Sequence, residues 1–261
     1  MTQVKKRTTL KVWGDVIFAI FLREIKSSFS DKLGLSWALV SPMIMIVVMV
    51  AIRGALDSGE THNIPTLFFV LYGVVLVQFF LGVLEKSCRG IQKNKPLYAF
   101  RQVQPISSII AISIFELLVK FFLVMLLAVL CFFTKHEISI SDPIALILNV
   151  IRVWLIAVSV GTLLSLAACY VPEVHKLQQF IMRPMFFLSG IFFSLQDLPQ
   201  NYWPYLTWNP LLHAVELTRY AAYPAYGDAG VNYFYLNVAT LVSIFFALAC
   251  YHIGWKQAIS R

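Results

Sequence analysis

Two side chains with acid–base chemistry, His213 and Glu216, stand three residues apart near the C-terminal end of the chain. Because residues three apart share a helix face, the pair has the spacing of a general acid and base, as in a membrane-embedded transferase. Such an enzyme needs further Asp, Glu or His residues clustered nearby, and the sequence provides no other close pair. We therefore interpret the pair as polarity on a helix surface and expect no catalytic residue.

Motifs for metals and nucleotides are missing from the sequence. The four cysteines form no CxxC pair and the five histidines form no HxxxH or HExxH, so no metal site is predicted. Three of the cysteines lie in apolar stretches and are interpreted as small buried side chains. No GxxxxGK followed by Ser or Thr occurs, so the chain has no phosphate-binding loop of that kind and no bound cofactor is expected.

A second group of candidate residues consists of charges inside long apolar stretches. Glu116 and Lys120 are four apart and can pair on one helix face. With Arg152 they are predicted to form an ion-pair network inside a helical bundle, because an unpaired charge at mid-bilayer is costly. The alternative is that some of them line a hydrated path for a polar or anionic cargo. Arg183, beside Pro184, is the preferred path candidate because a broken helix frees backbone groups that need partners.

Composition indicates an all-α integral membrane protein. Of the 261 residues, 59% are hydrophobic and 13% are charged, about half the charged fraction of a soluble domain. A helix needs about 20 mostly apolar residues to cross a bilayer, and six segments qualify or nearly do. We predict these spans at residues 35–52, 66–84, 105–133, 144–171, 180–195 and 234–255, in one domain covering residues 1–261.

The basic residues are distributed unequally between the predicted loops. Of the 21 Lys and Arg residues, fifteen fall in the two termini and in the loops after the second and fourth spans, and three fall in the opposite loops. The positive-inside rule therefore predicts that both termini are cytoplasmic. The same rule explains the net charge of +8 without nucleic acid. No cleavable signal peptide is expected, since the first apolar run is short and leads into charged residues.

The segment 10–31 before the first span has an amphipathic pattern. Phe18, Leu22, Ile25 and Phe29 recur at spacings of four, three and four, with polar and basic residues opposite. This pattern is typical of a helix that lies in the membrane interface. It is either a membrane anchor alone or an arm that also supports a cytoplasmic partner.

The loop at residues 85–103 is polar, basic and longer than a minimal turn. Its first part, Glu85–Lys95, is predicted to form a short helix that Pro96 ends. The loop either only sets the orientation of the protein or also docks a soluble motor.

The segment 196–233 is predicted to lie on the external side as a gate of short re-entrant helices. Asn209 can cap a helix whose first residue is Pro210. The segment is rich in aromatic residues, which favours either an interfacial belt or rings along which sugars can slide.

Four motifs resemble a known family. They are FAIFLREIK at 18–26, LSWALVSP at 35–42, LSGIFFS at 188–194 with LP at 198–199, and WNPLLHAVELTR at 208–219. In this order they resemble the permease subunits of ABC-2 type exporters, specifically the capsular polysaccharide export permeases of Gram-negative bacteria. Exporters of O-antigen, teichoic acid or small drugs are the alternatives within the same class.

The resemblance implies a non-catalytic permease in the bacterial inner membrane. It implies a homodimer with two separate ATP-binding cassette subunits that use ATP and Mg, a lipid-linked polysaccharide as cargo, and periplasmic co-polymerase and outer-membrane export partners. The residues expected to contact the ATPase are Arg23, Glu24, Lys26, Glu85, Arg89, Gln92, Lys93 and Lys95. The residues expected at the path or gate are Trp37, Arg183, Phe187, Phe193, Trp208, Asn209, His213, Glu216 and Arg219.

Overall fold

A computed structural model describes residues 8–56 and 59–260, which form a bundle of α-helices and one β-hairpin whose two strands have two residues each. Lys5, Lys6, Arg7 and Arg261, which enter the charge count above, lie outside these residues. The α-helices and strands are α1 (Thr9–Ser30), α2 (Lys32–Leu56), β1 (Glu60–Thr61), β2 (Ile64–Pro65), α3 (Thr66–Cys88), α4 (Gly90–Lys93), α5 (Pro105–Phe133), α6 (Pro143–Tyr170), α7 (Val174–Leu188), α8 (Pro210–Ala222) and α9 (Tyr233–Ser260).

Five of the described helices are long and apolar enough to cross a membrane. Their qualifying ranges are Ser36–Ala55, Thr66–Cys88, Pro105–Phe133, Pro143–Tyr170 and Tyr233–Ile259. Capping explains where α6 begins, because the Asp142 carboxylate accepts from the Ala145 amide at 2.9 Å and Pro143 occupies the first turn. The helical, multi-pass character that composition predicts is confirmed.

Helices α6 and α9 run side by side in the same direction. Near their last turns, the Tyr170 hydroxyl donates to the Gly254 carbonyl at 3.2 Å. In the first half of each helix, Arg152 Nε donates to Asn237 Oδ1 at 2.7 Å. Because α6 ends where α9 also ends, the chain between them must return across the whole length of the bundle.

Helix α7 makes this return. Close to its start, the His175 ring lies 2.8 Å from Gln92 Oε1, just beyond the end of α3. Past its end, the Phe192 carbonyl accepts from Arg53 in the last turn of α2. We call the end where α3, α6 and α9 finish the basic end, because Lys93 of α4 and the neighbouring Lys86 and Lys95 lie there. The opposite end, which carries the β1–β2 hairpin, is the hairpin end.

The position of α7 corrects the predicted span at residues 180–195. The helix covers Val174–Leu188, 15 residues, and is therefore about 22 Å long, short for a 30 Å hydrocarbon layer. It ends before Gly190, whose φ of +73° favours glycine, and a Cβ there would lie 2.7 Å from Leu212 Cδ1. The shift arises because α7 is amphipathic, so its polar first half lacks the continuous apolar run used to place the span.

Helix α3 lies at the centre of the bundle, and α1 packs against the outer surface of the bundle. The interior face of α3 contributes the largest share of the main core, together with residues of α5, α6 and α8. Val16 and Ile20 of α1 are buried against α5. The predicted apolar stripe of α1 points elsewhere, since Phe18 and Phe29 are exposed. Helix α1 thus has one apolar face on the protein and a second one free to meet lipid.

Candidate functional site

A buried carboxylate joins α1 to the segment after α3 at the basic end. Glu24 is 5% exposed, and its Oε2 lies 2.5 Å from Lys93 Nζ. Arg23 lies 3.3 Å from the other carboxylate oxygen and also donates to Asn94 Oδ1. Asn94 is fully buried and donates to the Gly90 carbonyl at 2.8 Å. This group, which we call the coupling cluster, fixes α4 to α1.

Helix α4 is also hydrogen-bonded to the main bundle. The Ile91 amide donates to Ser165 Oγ at 3.2 Å. Gln92 donates to the Ala168 carbonyl at 2.8 Å and contacts His175 at the start of α7. Helix α4 is therefore bonded directly to α1, α6 and α7.

The remaining predicted coupling residues lie outside this cluster. Glu85 and Arg89 form their own ion pair at 3.1 Å, with both side chains about half exposed. Lys26 and Lys95 are exposed. They present positive charge at the basic end without taking part in its internal bonding. Pro96 does not end a helix from Glu85 as predicted, because α4 already ends at Lys93 and a 3₁₀ helix, Lys95–Ala99, follows.

A second buried polar cluster lies at the hairpin end. Arg219 is 0% exposed, and its Nη1 lies 3.0 Å from Glu216 Oε1 one turn earlier in α8. Its Nε and Nη2 donate to the Phe69 carbonyl at 3.2 and 3.1 Å, and the guanidinium stacks 3.5 Å from the centre of the Phe69 ring. Gly73 has no side chain and so leaves space for the Arg219 guanidinium, since a Cβ at position 73 would lie 2.8 Å from Arg219 Nη2.

Glu216 connects this pair to the segment after α7. The Tyr226 hydroxyl lies 2.6 Å from both Glu216 Oε2 and Ser194 Oγ. Burial raises the pKa of Tyr226, so the hydroxyl stays protonated and can donate to the carboxylate. We call Glu216, Arg219, Phe69, Tyr226 and Ser194 the gate cluster. Sequence reasoning found the first two but missed the others, since nothing in their spacing links them to α8.

His213 and Asn209 hold α8 in place. The interpretation of His213 and Glu216 as polarity on a helix surface is wrong, because both side chains are buried. The Asn232 amide donates to His213 Nδ1 at 3.0 Å, so Nε2 carries the proton and donates to the Thr207 carbonyl at 2.8 Å. Burial lowers the pKa of His213, which keeps the ring neutral. Asn209 caps α8, accepting from the Leu211 amide at 3.0 Å as predicted, and donates to the Leu188 carbonyl.

An ionic contact that the sequence did not suggest fastens α2 to the gate segment. Arg53 lies 3.1 Å from Asp197 Oδ2, and His62 of the hairpin lies 2.6 Å from Asp197 Oδ1. Partial burial alone would raise the pKa of Asp197, but hydrogen bonds from the Ser194 amide, His62 and Arg53 outweigh it and lower the pKa. Asp197 is therefore ionised and bridges three segments.

The charges within the spans do not form the predicted single network. Glu116 contacts Lys86 at the end of α3 instead of Lys120 on its own helix. Arg152 is separate, bonded to Asn149 and Asn237 at 2.7 Å each. The spacing of four residues along α5 suggested that Glu116 pairs with Lys120. The packing of α3 against α5 instead brings Lys86 to Glu116.

Several predicted path residues lie on the surface of the protomer. Trp37 is 64% exposed, Phe187 61% and Trp208 57%, while Arg183 is exposed on α7 and Phe193 is partly buried. Glu216, Arg219 and His213 are enclosed. The enclosed residues therefore fix the position of α8, whereas the exposed ones are available to a partner, lipid or cargo. Among residues 8–56 and 59–260 no group of three His, Cys, Asp or Glu side chains could hold a metal.

Comparison with known proteins extends over nearly the whole chain. The chain is 32% identical to the polysialic acid transport protein KpsM of Escherichia coli, covering 94% of this chain and 95% of that protein. It is 26% identical to the capsule polysaccharide export inner-membrane protein CtrC of Neisseria meningitidis, covering 90% and 89%. It is 22% identical to the capsule polysaccharide export inner-membrane protein BexB of Haemophilus influenzae, covering 88% and 86%.

The family model described as ABC-2 type transporter matches residues 15–223, from within α1 to the end of α8. This range includes both the coupling cluster and the α8 residues of the gate cluster. The family resemblance inferred from the four sequence motifs is confirmed, and the chain belongs to the ABC-2 type transporter family.

Proposed function

We propose that this chain is the permease subunit of an ATP-driven exporter that moves a lipid-linked capsular polysaccharide across the bacterial inner membrane. The observation that carries the proposal is the similarity, over at least 85% of both chains, to three capsule and polysialic acid export proteins. Between 86% and 95% of each relative's length is matched, so the similarity is not confined to one part of the chain.

The proposed topology has six crossings with both termini in the cytoplasm. The parallel arrangement of α6 and α9 supports it, because the chain must cross once between them. Helix α7 supplies that crossing, with residues 189–194 completing its reach toward the hairpin end. The excess of basic residues at the basic end supports a cytoplasmic location for that end.

The coupling cluster supports transmission of movement from a separate ATPase. Two copies of this chain pair with two ATPase subunits, which bind ATP and Mg and press on α4 during their cycle. Because α4 is bonded to α1, α6 and α7, its displacement changes the angle between these helices. Helix α1 lies in the cytoplasmic interface, with its exposed Phe18 and Phe29 in the lipid.

The gate segment at the hairpin end supports an outward exit controlled by α8. The gate cluster connects α8 to α3 and to the segment after α7. When α3 or α7 tilts, α8 therefore moves with it. Three exposed aromatic residues, Tyr202, Tyr205 and Trp208, offer ring faces to sugars at this exit. Periplasmic co-polymerase and outer-membrane export proteins receive the polymer beyond it.

Complementation tests the proposal. In a capsule-producing strain that lacks its own export permease, this chain and its neighbouring ATPase are expected to restore surface polysaccharide. Polysaccharide that remains inside the cell, despite stable insertion of the protein, would contradict the assigned cargo. Purified alone, the chain is expected to hydrolyse no ATP, and robust hydrolysis by it would contradict the assignment of energy conversion to a partner.

A further inference from the structure

A lysine in the middle of α5 lies apart from both clusters. Lys120 is 15 residues from the first residue of α5 and 13 from the last. At a rise of about 1.5 Å per residue its Cα is about 20 Å from either end of the helix. In a spanning helix this position is close to the middle of the bilayer, where a charged side chain is unfavourable unless it is paired.

Glu116 acts electrostatically on this amine, but it does so without direct contact and is shared with Lys86. Within residues 8–56 and 59–260, Lys120 forms no hydrogen bond and no ion pair within 4 Å. Glu116, one turn earlier, contacts Lys86 and thus already has a cation. The amine of Lys120 is therefore available to a group outside the chain.

Lys120 lines an otherwise apolar groove on the surface of the bundle. The groove has a volume of about 430 Å³, with Phe121 and Val124 of α5 on one wall and Ile147 and Ile151 of α6 on the other. Helix α3 forms its floor. It shares α3 residues such as Val75 with a second apolar cavity of about 210 Å³, which extends past Tyr72 toward the hairpin end. The two together follow the length of the outer half of α5.

We propose that this groove is the docking site for a membrane-spanning helix of a partner protein that carries Asp or Glu at mid-depth. Depth distinguishes this occupant from a lipid. Phosphates of either leaflet lie near the ends of α5, about 15 Å or more from the middle of the membrane, whereas a lysine side chain extends only about 6 Å. An acyl chain in the groove brings its methyl end, not a charge, to Lys120.

The groove is also placed suitably for a permanent partner. It lies between α5 and α6, away from α4 and from the gate cluster, so a helix bound there leaves both free to move. The apolar walls suit packing against the side chains of a spanning helix, and the lysine selects one bearing a carboxylate. The inference requires that the chain spans the membrane and does not depend on the identity of the cargo.

Photocrosslinking in the native host, with the complete export system present, tests the proposal. A photoreactive phenylalanine analogue replaces Phe121 in the groove or, as the matched control, Phe245, which is exposed on α9. We expect the groove position alone to capture a peptide from a spanning helix that carries Asp or Glu. Capture of lipid only, or of a second copy of this chain, would overturn the proposal.

Charge exchange then tests the role of Lys120. In the same experiment Lys120→Met is expected to reduce the captured yield about tenfold or more, and Lys120→Arg to retain it. Lys120→Glu is expected to abolish capture, and replacement of the partner's carboxylate by Lys to restore it. Equal yield with Met, or no restoration by the exchange, would show that the amine has no such partner. Membrane-inserted protein levels are compared throughout, and the Arg variant controls for folding.

Discussion

At the scale of single residues, the pair Glu216 and Arg219 is the most enclosed charge in the described part of the chain. A buried ion pair stabilises a protein little more than a pair of apolar side chains of similar size would. Removing only one partner is costly, because it leaves the other charge buried and unpaired. Arg219→Met is therefore expected to destabilise the protein by about 3–5 kcal/mol. Adding Glu216→Gln should recover part of this loss, since it removes the isolated carboxylate. Thermal unfolding in detergent measures both.

The exposed Arg183 provides the matched control for that experiment. Arg183→Met removes the same charge from α7 without leaving a buried partner and should change the unfolding temperature little. If Arg219→Met unfolds at the same temperature as Arg183→Met, the enclosed pair does not stabilise α8 as described.

Asp197 predicts a pH dependence with a definite sign. Its contacts lower the pKa of the folded carboxyl below the ordinary value of 3.8. A carboxylate with a lowered folded pKa contributes stability that is complete above its unfolded pKa and is lost as the pH falls through the folded one. The difference in unfolding temperature between the natural protein and Asp197→Asn should therefore be constant near pH 5 and shrink below about pH 4. A difference that grows on acidification would contradict the assigned contacts.

At the scale of elements, the bond between α1 and the short helix α4 is the feature whose mutation should separate folding from transport. Glu24→Gln removes the carboxylate that holds Lys93 while keeping the shape of the side chain. We expect normal insertion but transport reduced about tenfold, with ATP hydrolysis by the partner retained. Measurement of surface polysaccharide and of ATPase activity in the reconstituted complex separates the two effects.

The ion pair of Glu85 with Arg89 is the matched control, because it lies just before α4 but is half exposed. Exposed pairs contribute about 0–1 kcal/mol, so Glu85→Gln should leave transport nearly unchanged. Exchange of the coupling pair, with Glu24→Lys and Lys93→Glu together, should restore part of the transport. Equal losses from Glu24→Gln and Glu85→Gln would indicate surface charge, not the internal bond, as the relevant property.

Elements with strong local signals were predictable and those defined by distant contacts were not. Helix α6 was expected at residues 144–171 and is Pro143–Tyr170, and the Asn209 cap of α8 was anticipated from adjacent residues alone. Helix α7 was misplaced because its polar first half is held by α3 and the segment after it. The partners Lys86 of Glu116 and Tyr226 of Glu216 were missed for the same reason, since neighbours from other helices leave no mark on local spacing.

At the scale of the whole molecule, the direction of α6 and α9 decides the number of crossings. Five long apolar helices alone would place the two termini on opposite sides of the membrane. The matched contacts along the α6–α9 pair favour the proposed sixth passage, which in the proposed topology is the 15-residue helix α7. A helix this short crosses only if the bilayer thins locally or if residues 189–194 complete the passage inside the protein.

Reporter fusions distinguish these topologies. A reporter that is active only in the cytoplasm should be active after Arg261 and inactive within the connection at residues 134–142, while one active only in the periplasm should show the reverse. With five crossings the reporter after Arg261 would be periplasmic. That result would mean that α7 does not traverse the membrane, and both the parallel arrangement of α6 and α9 and the coupling of α4 to the hairpin end through α7 would have to be abandoned.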